Sequence, residues 1–199
     1  LEIAQGRELL RQFGVPVDKR LIAVSVRKWQ DGGNYLKVLA EAADGLIEKY
    51  DAHVVLLPLQ YPVDIEACRK VRQYMSNDEA CTVLDASCDT EQFLSLIGNF
   101  ALLIGMRLHA LIFAAVMRIP FVGVSYDPKV DGFIKEVAGV NAGQIDGLTA
   151  SAVAAAAEKA LQVSEESWRK LDYLRDKAME NVGLAFSLLP VSQKHLKGE

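Results

Sequence analysis

Ile104-Gly105-Met106-Arg107-Leu108-His109-Ala110-Leu111 is followed about twenty residues later by Ser125-Tyr126-Asp127-Pro128-Lys129, and the two stretches share one plan. Each reads as the end of a buried strand, a turn, and the first residues of a helix. Basic side chains sit at both turns: Arg107 and His109 in the first, Lys129 in the second. A helix N-terminus carries partial positive charge and unpaired backbone N–H groups, so it favours anions. The expected ligand is therefore a small, highly charged anion.

Outward from these turns, runs rich in Val, Ile and Leu alternate with helical segments. Leu21–Val26 is a continuous apolar run that fits a strand buried on both faces, and His53–Leu59, Cys81–Leu84, Ala101–Met106 and Phe121–Ser125 read as four further strands. A short strand is expected at Gln144–Ile145. Helices are expected over 34–49, 64–75, 89–98, 108–117, 130–137, 149–163 and 165–188, with Asp89 or Thr90 as an N-cap. Alternation at this spacing predicts an α/β, Rossmann-like fold, a parallel sheet with helices on both faces. One domain spans 1–199, with a solvated tail at 193–199 in which His195 has no role.

Right-handed crossovers place every strand's carboxyl end along one edge, where ligands of such folds bind. Arg27, Arg107 and Lys129 each follow a strand and His109 opens the next helix, so all four fall on that edge. The 108–117 helix is apolar all round and is expected in the middle of the structure, its N-terminus a fixed platform.

Composition narrows the function class. With 199 residues the chain can bury one sizeable core, and at 51% hydrophobic and 24% charged it is a folded domain. A net charge of −4 argues against a nucleic-acid binder, so an anion site has to be a local pocket. Cys68, Cys81 and Cys88 form no Cys-x-x-Cys pair, and no ligand spacing points to a metal. Free thiols suit a reducing cytoplasm. The longest apolar run, 110–117, is far short of the roughly 20 residues a membrane span needs. The chain starts Leu-Glu-Ile without an initiator Met, which reads as a piece excised from a longer protein.

Arginine offers a planar fork for carboxylate or phosphate, lysine a compact charge, and histidine a hydrogen bond or a proton near neutral pH. Together with a helix N-terminus they suit a ligand bearing both a carboxylate and a phosphate. Each residue also has a plainer explanation. Arg107 fits a surface salt bridge, His109 a helix cap, Lys129 an ordinary turn, and Arg27 a stack on Trp29. Their coincidence on one edge favours a site. Trp29, Tyr61 and Tyr126 also follow strands, as pocket wall or as packing. His53 and the cysteines read as structural. Gly32-Gly33 is only a weak phosphate-loop match, lacking the Gly-Lys-Ser/Thr of a P-loop.

In the blocks Gly105-Met-Arg-Leu-His-Ala-Leu-Ile-Phe-Ala-Ala and Pro120-Phe-Val-Gly-Val-Ser-Tyr-Asp-Pro-Lys129, and in Ser25-Val26-Arg27, the chain resembles the polysaccharide pyruvyltransferase family. Within it the resemblance is to the bacterial branch acting on secondary cell-wall polymers, the anchors of surface-layer proteins. One departure is Ala101, where an acidic residue is expected. The resemblance implies the C-terminal lobe of a two-lobed, GT-B-like enzyme whose N-terminal lobe is absent here. It implies transfer of pyruvate from phosphoenolpyruvate onto two hydroxyls of one sugar, giving a cyclic ketal and phosphate. The acceptor would be a lipid-linked cell-wall glycan precursor, and the scheme needs no cofactor or metal.

On this resemblance Arg27, Arg107, His109 and Lys129 bind the donor, and Arg107 and His109 act in catalysis. An Arg107→Ala protein that stays folded and loses the donor is the expected signature. Two alternatives stand beside this one. One is a GT-B glycosyltransferase lobe using a nucleotide sugar, with Glu91 on the ribose. The other is a non-catalytic domain that binds an anionic sugar.

Overall fold

The computed structural model describes residues 2–30, 34–137 and 139–162, with 168–169, 171–173, 176–177 and 180 beyond them. Six described strands form one parallel sheet: β1 (Arg20–Ser25), β2 (Ala52–Leu56), β3 (Cys81–Val83), β4 (Leu102–Gly105), β5 (Phe121–Ser125) and β6 (Val140–Gln144). Their order is β3-β2-β1-β4-β5-β6, so the direction of winding reverses between β1 and β4. The helices are α1 (Ile3–Gln12), α2 (Tyr35–Tyr50), α3 (Ile65–Tyr74), α4 (Thr90–Ile97), α5 (Leu108–Val116), α6 (Pro128–Glu136) and α7 (Ala150–Ala160).

The reversal sorts the helices onto two faces, because right-handed crossovers change side when the winding direction changes. One core layer joins α2, α3 and α7 to Ile22 and Val24 of β1 and to Leu102 and Ile104 of β4. The other joins α1, α4, α5 and α6 to Leu21 and Ala23 of β1 and Leu103 of β4. Alternate residues of the same strand thus feed opposite layers, which is why these strands are apolar without interruption.

The α/β parallel fold expected from the alternation is the one observed, with three differences. Helix α1 covers a stretch the strand pattern does not address. It packs on α4, where Ser95 Oγ accepts a hydrogen bond from Gly6 N at 2.7 Å. A Cβ at Gly6 would lie 2.1 Å from the Ser95 carbonyl oxygen, so glycine permits the contact. Strand β6 begins four residues before the expected Gln144, because Val140 and Asn141 pair with Val122 and Gly123 of β5.

The third difference corrects the reading of α5 as wholly central. Ala110, Leu111, Ala114 and Ala115 are buried, but Val116 is 59% exposed and His109 is exposed. An apolar sequence does not report which side of a helix meets the sheet; the sheet covers only one. That side sits close. Gly105 and Gly123 are register partners in β4 and β5. A Cβ there would meet Leu111 Cδ2 at 2.9 Å and Ile134 Cδ1 at 2.2 Å, respectively. The two glycines let Leu111 of α5 and Ile134 of α6 settle onto β4 and β5.

The expected 165–188 helix lies mostly outside the described residues, where Trp168 and Leu171–Tyr173 are helical. The 193–199 tail and Gly32-Gly33 lie outside them entirely.

Candidate functional site

The carboxyl edge at the β1/β4 reversal gathers the basic residues. Arg27 stands two residues beyond β1, Arg107 two beyond β4, and Lys129 is the second residue of α6 after β5. His109 is the second residue of α5. Arg107 occupies the N-cap of α5 and gives it no side-chain cap, so the first backbone N–H groups of α5 face the edge unpaired by a capping side chain. Lys129 is exposed, and its backbone N–H donates to Asp127 Oδ1 at 2.8 Å, with Pro128 starting α6.

Neither arginine is loose. Arg107 is only 15% exposed and makes a bidentate pair with Asp64, whose side chain is fully buried. Its Nε donates to Asp64 Oδ2 at 3.0 Å and its Nη2 to Oδ1. Asp64 Oδ2 also accepts from the backbone N–H of Gln60 at 2.9 Å. The pair spans the carboxyl end of β1, from the loop after β2 to the loop after β4.

Arg27 is held over the neighbouring strand end. Its Nη1 donates to Tyr126 Oη at 3.0 Å, joining the loop after β1 to the loop after β5 across β4. The guanidinium carbon lies 5.1 Å from the Tyr126 ring centre and 5.8 Å from that of Trp29. The two rings are themselves 4.7 Å apart. So the stack on Trp29 is present, with Tyr126 completing it. Tyr35 fixes the loop from below: its hydroxyl donates to Arg27 O and accepts from Trp29 N, both at 2.9 Å. Burial pushes the Tyr35 phenol up, which keeps that hydroxyl a neutral donor.

A cleft of about 300 Å³ opens beside this cluster, lined by Trp29, Gln30, Asn34, Tyr35 and Ile145–Leu148. Tyr61, the third aromatic after a strand, is exposed and makes no ring contact among the described residues. Glu91 is exposed at the start of α4, after the sheet's edge strand β3, and lines a groove shared with α1. That groove lies on the α1 side and includes neither arginine.

The structural reading of His53 and two of the cysteines fits their surroundings. His53 is buried with Nε2 2.8 Å from Thr82 Oγ1. Burial pushes the thiols of Cys68 and Cys81 up to about 12.

Sequence reasoning missed Asp64. It was visible only as the first residue of an expected helix, at the end of the loop that leaves β2. An acidic residue opening a helix on the edge that carries Arg27 and Arg107 was the available signal.

Among curated protein sequences none matches the chain. Solved structures with the same fold include the Escherichia coli ADP-heptose lipopolysaccharide heptosyltransferase II, at 17% identity and a TM-score of 0.63, covering 81% of this chain and 52% of that one. The UDP-GlcNAc 2-epimerase of Methanocaldococcus jannaschii superposes at 14% identity and 0.64, covering 87% and 50%. A family 9 glycosyl transferase of Veillonella parvula gives 17% and 0.59, covering 81% and 52%. The chain thus spans about half the length of these structures, and its fold is that of a GT-B lobe. A family model described as polysaccharide pyruvyl transferase matches residues 4–128, a span that runs from α1 into the start of α6 and takes in Arg27, Asp64, Arg107 and His109. On that match the chain belongs to the polysaccharide pyruvyl transferase family, a family of transferase enzymes.

Proposed function

We propose that this chain is the C-terminal, donor-binding lobe of an enzyme that moves pyruvate from phosphoenolpyruvate onto two hydroxyls of one sugar. The acceptor is a cell-wall polysaccharide or its lipid-linked precursor of the kind that anchors surface layers, and the reaction takes place in the cytoplasm. One observation carries this reading: two arginines and the uncapped start of α5 converge where the sheet winding reverses. That is where open α/β sheets bind ligands. A donor with a phosphate and a carboxylate matches two separate guanidinium groups.

Protonation of the methylene carbon turns it into a methyl group and places positive charge on the carbon bearing phosphate. A sugar hydroxyl forms a C–O bond there and loses its proton. Phosphate departs with the electrons of its C–O bond, and the second hydroxyl closes the ketal. Arg27, Arg107 and Lys129 stabilise the carboxylate and the departing phosphate. His109, exposed at the first turn of α5, binds phosphate or supplies the proton. The second lobe holds most of the acceptor.

Thermal shift with phosphoenolpyruvate, inorganic phosphate, UDP and CMP tests the reading. A ligand at 100 times its Kd adds about 2.7 kcal/mol, or roughly 5–10 °C for a chain this size. A rise specific to phosphoenolpyruvate is expected. A rise with a nucleotide alone would instead support glycosyl transfer, the chemistry named for two of the fold's neighbours. No rise with any of the four refutes a complete donor half-site on this chain. Binding without phosphate release in the two-lobed protein would support a non-catalytic role. His109→Asn should lower turnover more than donor affinity; equal losses would make it a plain ligand.

A further inference from the structure

Resting on the reading that Arg107 meets an oxyanion of the donor, we propose that Asp64 is the positioning residue that aims it. A guanidinium has five N–H donors. Asp64 takes two of them from the side, through Nε and Nη2. The two on Nη1 and the outer one on Nη2 remain, and they form a second, end-on fork. With Arg107 15% exposed and its inner side taken by Asp64, this fork is what the side chain has left to offer a ligand. The rotamer freedom of a long side chain is then lost on folding rather than on binding, which favours affinity.

Asp64 is itself fixed. It is fully buried, accepts from Gln60 N at 2.9 Å, and gives its other oxygen to Nη2. Stability alone does not account for the pair, because buried ion pairs are commonly matched or bettered by apolar residues of the same volume. Its location does. The Asp64–Arg107 pair passes over the end of β1, and the Arg27–Tyr126 bond passes over the end of β4. The two ties interleave at the winding reversal and fix both arginines on the carboxyl edge.

Calorimetric titration of the chain with phosphoenolpyruvate, and separately with inorganic phosphate, tests the assignment. Asp64→Asn should weaken phosphoenolpyruvate about tenfold, since misplacing a binding group by an ångström is costly. In an Arg107→Lys background, which retains the charge but has no fork, the same change should alter the Kd by less than about twofold, because groups acting through one another are not additive. Losses that simply multiply, or a folded Asp64→Asn protein with wild-type affinity, would overturn the proposal. Asp64→Glu covers the case in which Asp64→Asn fails to fold. It retains the charge and displaces the fork by one methylene, and wild-type affinity there would equally overturn it. Phosphate separates this proposal from the donor assignment. Asp64-dependent phosphate binding with no gain for phosphoenolpyruvate would sustain the positioning role and remove the pyruvyl donor. Wild-type protein binding neither anion refutes both.

Discussion

Arg107→Ala is expected to destabilise the protein as well as the proposed donor site. Truncation leaves Asp64, with no exposure of its own, without its cation and holding only the Gln60 N–H among the contacts described. Removing one partner of a buried pair costs about 3–5 kcal/mol, against a typical total stability of roughly 5–15 kcal/mol. In urea, at a slope of about 2 kcal/mol per molar, the unfolding midpoint should fall by roughly 1.5–2.5 M. Far-UV circular dichroism measures it. The double variant Asp64→Leu with Arg107→Met removes both charges and should recover most of the loss. A loss below about 1 kcal/mol in Arg107→Ala, the value of an exposed pair, would refute the burial argument. One consequence is practical: loss of donor binding in Arg107→Ala cannot by itself assign Arg107 to the ligand, and Arg107→Lys is the cleaner probe.

Three further outcomes are expected. Burial, with Lys19 and Arg72 adding to it, holds the His53 imidazole below its ordinary value. Its contribution to stability is therefore present above the unfolded value of about 6.5 and is lost as pH falls through the lower folded one. Urea midpoints across that window should decline less in His53→Gln than in wild type, and parallel declines would contradict this. Gly123→Ala forces a Cβ to within 2.2 Å of Ile134 Cδ1; overpacking of this kind costs about 1–3 kcal/mol, read as a lower urea midpoint. Thiol titration of the folded protein near pH 8 should leave Cys68 and Cys81 unmodified, with Cys88, half-buried, reacting first. Rapid modification of Cys68 in native protein would show that it is not enclosed.

The parallel sheet was legible because its cause is local. A strand buried on both faces has to be apolar at every position, and each apolar run here is separated from the next by one helix. From that alternation and the handedness of crossovers, Arg27, Arg107, His109 and Lys129 had to share an edge. The family resemblance drew on the same turns. What the one-dimensional pattern could not carry was partnership across strands. Asp64 and Arg107 are 43 residues apart, and Arg27 and Tyr126 are 99 apart; no periodicity links them.

The exposed side of α5 was hidden for a related reason, since an all-apolar helix has no polar face to show which side is covered. Helix α1 escaped because its place depends on a glycine meeting α4 from far along the chain. Sequence alone, then, determined which residues reach the edge, because period and chirality act along the chain. Tertiary structure decided which of them are tied down and to what, because a buried carboxylate must find its cation wherever the fold brings one.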